Sequence, residues 1–270
     1  MTYSRFASLT WPIMLLGLGF FIFLQVTQTD CPTLDDLEAA VARAGADTKA
    51  HLANGEAPRN PDDTKAAFEA IYNNARWGTN ATGAGTSGSG STLEATYLYR
   101  DYLAHFIKKY NITSVVDAGC GDWEFSSQLD WTGIDYKGYD IVAKVIEADK
   151  AKYAKPNIQF FTGNIVEDDL PPADLLISKH VLQHIPNADV KKFLDKQLKK
   201  YKHVLLTNGV HEVLLTGNNA DIKPGEYRLL ELMRPPFDVK GRKVLTYWAN
   251  GHMHQVLHIN NDKKPATAPK

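Results

Sequence analysis

From Ile112 onward the chain alternates short apolar, β-branched runs with segments of helical spacing, and this alternation limits the fold more than any other feature. Strands are expected at residues 114–117, 136–140, 158–162, 175–178 and 203–207, with helices at 124–129, 141–153 and 188–201 between them. Strands separated by helices of that length imply a mostly parallel sheet covered on both faces. Two further apolar runs, 244–248 and 256–259, are expected to close the sheet as an antiparallel pair. Upstream, Phe68, Ile71 and Tyr72 mark a helix over 64–74, and Tyr97, Tyr99, Leu103, Phe106 and Ile107 mark another over 92–110. The Gly/Ser-rich stretch 78–91 joins these two structured pieces. A loop of that kind, held at both ends, is expected to fold over a ligand as a lid.

The remainder of the chain is of a different kind. Residues 6–29 hold no Asp, Glu, Lys or Arg, and their centre, 9–26, is apolar. As a helix, 24 such residues span about 36 Å, enough for a bilayer core of about 30 Å. The run is longer than the apolar region of a cleaved signal peptide and lacks a small-x-small exit, so a retained transmembrane anchor is expected. Arg5 precedes it and Asp30, Asp35, Asp36 and Glu38 follow it, which predicts a single-pass type II protein with its body luminal or extracytoplasmic. The expected division is a cytosolic tail at 1–8, anchor at 9–26, stem at 27–60, catalytic-size domain at 61–260 and a tail at 261–270. Among the 270 residues, 30 Lys+Arg balance 31 Asp+Glu, so no nucleic-acid partner is expected. Cys31 and Cys120 alone cannot build a disulfide scaffold or a structural zinc site.

The stretch that carries chemistry is Val115-Val116-Asp117-Ala118-Gly119-Cys120-Gly121-Asp122-Trp123. A buried strand ends in an acid and turns through Gly-x-Gly toward an expected helix, where ligands of open α/β sheets bind. Glu124 stands where a dinucleotide fingerprint needs its third glycine, and Asp117 and Asp122 would repel a pyrophosphate. An acidic loop instead suits a ligand with a cationic part. Asp140, 19 residues beyond Gly121 at the next strand end, can accept both hydroxyls of a ribose. Asn164-Ile165 follows the third strand, and Ser178-Lys179-His180-Val181-Leu182-Gln183-His184 follows the fourth.

With these landmarks in order, the sequence resembles the class I S-adenosylmethionine-dependent methyltransferases. Val116 to Gly121 is similar to their first motif, Asp140 to the ribose-binding acid, Asn164 to the residue contacting the adenine amino group, and Ala173 to Pro186 to the motif after the fourth strand. The resemblance implies a Rossmann-like α/β fold with a mixed seven-stranded sheet, and S-adenosylmethionine as cofactor. It implies binding by Asp117, Gly119, Cys120, Gly121, Trp123, Asp140, Ile141, Asn164, Ile165 and Ser178. Tyr72-Asn73-Asn74-Ala75-Arg76-Trp77-Gly78, Ser87-Gly88-Ser89-Gly90-Ser91 and Gly225-Glu226-Tyr227-Arg228 resemble a subgroup that includes sugar O-methyltransferase domains. Lys179-His180 departs from the Arg-Asp pair usual there.

Methyl transfer to a hydroxyl needs alignment and a base, and His is the usual base near neutral pH. His184 and His180 are the expected catalytic residues, with His211 after them. His252 and His254 share one strand face but lack a further ligand, so no metal is expected. Asn218, Asp221, Tyr227 and Arg228 are expected to bind a polar acceptor. The expected activity is O-methylation of a glycan or sugar hydroxyl at a membrane. A lipid or small-metabolite acceptor, or a binding module that merely kept the fold, are the alternatives.

Overall fold

The computed structural model describes residues 61–80, 82–211 and 219–262. The expected anchor and stem, Cys31, Asn218 and most of the C-terminal tail lie outside the described residues. Among those described, no helix is long and apolar enough to cross a membrane.

Four longer helices and seven strands follow in the order α1 (Pro61–Asn73), α2 (Tyr97–Lys109), β1 (Ser114–Ala118), β2 (Asp135–Asp140), α3 (Ala143–Tyr153), β3 (Ile158–Thr162), β4 (Ala173–Lys179), α4 (Asn187–Gln197), β5 (Tyr201–Val210), β6 (Arg242–Ala249) and β7 (His252–Asn260). The strands form one sheet in the order β3-β2-β1-β4-β5-β7-β6. The first five are parallel, and β7 inserts antiparallel between β5 and β6. The fold is therefore the Rossmann-like, mixed seven-stranded arrangement expected. Its strand order reverses at β1 and β4, whose carboxyl ends open a crevice.

Alternating side chains of the strands supply the two cores. Val116, Ala118, Leu176 and Leu206 pack with Ile71 of α1 and Val190 and Phe193 of α4. Val115, Leu175, Ile177 and Leu205 pack on the opposite face with Tyr99, Leu103 and Phe106 of α2. Each fully buried Leu, Ile or Phe contributes about 1.5–3 kcal/mol, so both faces stiffen the strands that carry the crevice.

Two expected elements differ. The helix at 124–129 is replaced by turns and one 3-10 turn, Ser126–Gln128. Trp123 takes a left-handed φ of 52° and buries its indole against Trp131, Tyr136, Tyr153 and Phe160. Trp131 Nε1 donates to Ser126 O at 2.8 Å, taking a carbonyl an α-helix would need. Strand β5 runs to Val210, past the expected end at Thr207. Asn208 and Gly209, weak strand formers, are held by pairing with Gln255 and His254 of β7.

Candidate active site

The crevice at the switch point is a cavity of about 500 Å³. Asp117, Gly119, Cys120, Gly121, Asp140, Ile141, Asn164 and Ile165 all line it, brought together from the ends of β1, β2 and β3. Burial dominates the electrostatics of this half. It pushes the Asp117 carboxyl up to about 7, against the opposing hydrogen bond that Tyr136 Oη donates at 2.6 Å. It pushes Asp140 up to about 6, while the N–H groups of Val142 (3.0 Å to Oδ1) and Gly121 (3.1 Å to Oδ2) pull the other way. Each Asp140 oxygen thus takes one backbone donor and keeps a lone pair, which is what two vicinal hydroxyls require. Burial and the neighbouring carboxylates raise the Cys120 thiol well above its ordinary value, so it lines the cavity as an inert wall.

The motif glycines make room for the protein's own chain. A Cβ on Gly119 would stand 2.2 Å from Val181 Cγ2, and one on Gly121 would stand 2.2 Å from Ser87 Oγ. Their φ values of 88° and 58° favour glycine as well. The space is filled by the protein's own chain: Gly119 admits the segment after β4, and Gly121 admits the Gly/Ser strap. Asn164 uses Oδ1 to accept the N–H of Val166 at 3.0 Å, so its carboxamide first serves its own turn.

Two expected cofactor contacts lie elsewhere. Trp123 is sealed in the aromatic cluster described above, and Ser178 is buried with its hydroxyl donating to Ala118 O at 2.8 Å, stapling β4 to β1. Neither lines the cavity.

The strap forms the roof. Ser87 N donates to Asp122 Oδ2 at 3.2 Å, Asp122 N donates to Ser87 Oγ at 2.8 Å, and Ser87 Oγ meets Tyr72 Oη at 2.8 Å. Further along, Lys179 Nζ donates to Gly90 O at 2.6 Å and Asn250 Nδ2 donates to Ser89 O at 2.5 Å. One short segment therefore touches the cofactor loop, the end of β4 and the β6–β7 turn.

Beneath it stand the expected bases. His184 faces the Trp77 ring at 4.9 Å, and its Nδ1 donates to Glu226 O at 2.9 Å. Gln183 fixes its own amide by accepting Gly209 N at 2.7 Å, so its Nε2 points at His184 Nε2, 3.3 Å away. Both ring nitrogens of His184 are engaged, and burial holds the ring neutral, down to about 4. His180 adopts φ 57°, a conformation uncommon outside glycine. Its Nδ1 lies 3.2 Å from Lys179 Nζ, and its enclosed Nε2 has no hydrogen-bond partner. Its ring packs tilted, 4.6 Å between centroids, against His254, which lines the cavity with His252. His211 does not line it. Among the described residues no group of three or more His, Cys, Asp or Glu could hold a metal ion.

Of the expected acceptor residues among those described, only Tyr227 lines the cavity. Arg228 is buried and holds Ile185 O at 2.8 Å and Asn187 Oδ1 at 2.9 Å. Asp221 accepts the N–H of Asn187 at 2.7 Å, satisfying an orphan donor at the start of α4. Both brace the segment after β4 rather than face a ligand. The residues missed are Lys179, Gln183 and Asn250. Lys179 was visible beside His180 in the sequence, but nothing local shows that its ammonium would be buried.

Residues 116–210 match a family model described as a methyltransferase domain. No curated protein sequence matches the chain. Among solved structures, a magnesium protoporphyrin IX methyltransferase from Synechocystis PCC 6803 with bound S-adenosylhomocysteine is 14% identical, with 73% of this chain and 98% of that one covered at a TM-score of 0.50. The N-methyltransferase NodS from Bradyrhizobium japonicum WM9, also in complex with S-adenosylhomocysteine, is 11% identical, with 72% and 99% covered at a TM-score of 0.53. At such identities the two structures speak for the fold, and the family match speaks for the chemistry. The cavity agrees with both, its buried acids and doubly available Asp140 suiting the ribose and sulfonium of S-adenosylmethionine, so the chain joins a methyltransferase-domain match over residues 116–210 to a Rossmann-like methyltransferase fold.

Proposed function

We propose that this domain methylates a hydroxyl oxygen of a neutral sugar or glycan. The observation that carries this is the distribution of charge in the cavity. Its lining carboxylates, Asp117 and Asp140, both belong to the cofactor half. The other half offers the Trp77 and Tyr227 rings, the strap serines, Gln183, Asn250 and the histidines, with Arg76 and Lys179 as its remaining basic side chains. A protonated amine would find no carboxylate there, whereas a sugar finds aromatic faces and neutral hydrogen-bonding groups.

The bound cofactor supplies an electrophilic methyl group on a sulfonium. The chain's own residues do the rest: Asp140 holds the ribose hydroxyls, the strap excludes water, and the inner wall aligns the acceptor oxygen in line with the methyl group, where alignment contributes most of the rate. The apolar run at residues 9–26 supports an anchored protein with this domain on the extracytoplasmic side, which protease protection of sealed vesicles would test.

The deciding experiment is release of S-adenosylhomocysteine by the purified full chain with neutral glycans, primary amines, lipid head groups and small metabolites as separate acceptor classes. Turnover confined to neutral glycans is expected. Turnover confined to amines or to lipids would refute the reading.

A further inference from the structure

Lys179 is the least expected group in the cavity. It ends β4, is 7% exposed, and among the described residues forms no ion pair with any carboxylate. Its Nζ lies over the rings of Phe125 and Tyr99, at 5.1 and 5.7 Å from their centroids. A buried ammonium without a paired carboxylate is costly, and the usual outcome is a neutral amine.

The hydrogen bonds say which way that amine faces. Gly90 O, 2.6 Å away, can only accept, so one N–H points into the strap. His180 Nδ1, 3.2 Å away, takes the second. With Nζ as the donor, the His180 proton sits on Nε2, the enclosed nitrogen without a partner. The third position on Nζ remains for the cavity that Lys179 lines. The strap is built to this pair, because a Cβ on Gly90 would stand 2.7 Å from His180 Nδ1. The two histidines expected as bases are meanwhile occupied: His184 by Glu226 O and Gln183, His180 by Lys179 and the His254 ring.

We propose that Lys179 is the catalytic base, a neutral amine that takes the proton of the acceptor hydroxyl as the methyl group is transferred, with His180 as its positioning residue. This rests on the hydroxyl-acceptor reading above. The acceptor O–H bond breaks as a third N–H bond forms on Nζ, an O–CH3 bond forms as the S–CH3 bond breaks, and the sulfur keeps the bonding pair. The ammonium then returns its proton to water. Burial lowers Lys179 to about 7, the carboxylate of Asp117 opposing it, so the base recovers near neutral pH. The other titratable groups facing it are Tyr99 on α2, His180, and His254 on β7; burial holds both histidines below their ordinary value and Tyr99 well above its own.

The test has two arms on the full chain. In the first, lysine labelled with ¹³C at Cε and histidine labelled with ¹⁵N are followed by NMR against pH with S-adenosylhomocysteine bound. Lys179 titrating near neutral pH, with His180 protonated on Nε2, is expected. An ammonium that persists to pH 9, or a proton on His180 Nδ1, overturns the proposal without reference to any acceptor. In the second, methyl transfer to a set of methyl glycosides is compared between wild type and Lys179→Met, with S-adenosylhomocysteine affinity reporting the fold. Turnover that rises through the Lys179 midpoint in wild type and falls ~10²–10⁴-fold in Lys179→Met, at unchanged affinity, is expected. A variant that keeps more than a tenth of the rate with an unchanged pH profile overturns the proposal. If wild type methylates no glycoside, the hydroxyl reading fails, and the first arm still decides whether the amine is neutral.

Discussion

Replacing Gly90 by Ala tests whether the strap is fitted to the end of β4. Gly90 has no left-handed φ, so alanine is tolerated by its backbone and the effect comes from space alone. The added Cβ would lie 2.7 Å from His180 Nδ1 and 3.1 Å from Cε1. An ordinary carbon–nitrogen contact needs about 3.5 Å, so one side must yield by nearly 1 Å. His180 cannot easily do so, being packed against the His254 ring and bonded through its backbone N–H to Thr207 O at 2.8 Å. The strap moves instead, stretching Lys179–Gly90 and Asn250–Ser89 beyond hydrogen-bond range. Overpacking of this kind costs about 1–3 kcal/mol, and here it falls on strap docking rather than on either core. At 1.4 kcal/mol per factor of ten, kcat/KM should fall ~5–150-fold. Amide hydrogen exchange over 87–91 should quicken, with Tm nearly unchanged and S-adenosylhomocysteine affinity kept within about threefold, since Asp140 and Gly121 are untouched. Initial rates, exchange mass spectrometry and calorimetry read these separately. A Gly90→Ala variant with wild-type turnover and unchanged protection over the strap would refute the reasoning.

Asp140→Ala should weaken S-adenosylhomocysteine binding ~100-fold by calorimetry, because two hydroxyl bonds to a carboxylate are lost at about 1.5–3 kcal/mol each before partial compensation by water. In wild type the carboxylate is the binding form and its value is raised to about 6, so affinity should fall as pH drops below 6 and level off above it. A pH-independent affinity would remove Asp140 from the ribose. Arg228→Met should lower domain stability by about 2–4 kcal/mol, since Ile185 O and Asn187 Oδ1 lose their donors inside the protein. Thermal unfolding checks it, and a raised acceptor KM at unchanged Tm would instead restore Arg228 to the substrate.

What the sequence disclosed and what it withheld divide along one physical line. Signals carried by the covalent chain were legible: the β-branched runs at 114–117, 158–162 and 175–178, the glycines at 119 and 121, and the acid that ends β2 all stand near where periodicity and spacing put them. Signals that depend on which residue meets which across the fold were not. Arg228 and Asp221 have the composition of a solvated, ligand-seeking loop, yet both turn inward because the segment after β4 needs donors and an acceptor for its backbone. His184 has the residue type of a base, but its two nitrogens are taken by partners 1 and 42 residues away. Lys179 is the converse, an ordinary surface residue by composition that a glycine 89 residues upstream converts into a buried, hydrogen-bonded amine. The same contact explains why that upstream stretch is Gly-Ser-Gly rather than any flexible sequence. A linker needs only freedom, whereas a roof in which a Cβ at residue 90 would stand 2.7 Å from a histidine nitrogen needs the absence of a side chain at that position and hydroxyls at its neighbours. A Gly/Ser run between two well-formed helices is therefore better read by asking what its glycines would touch than by counting them.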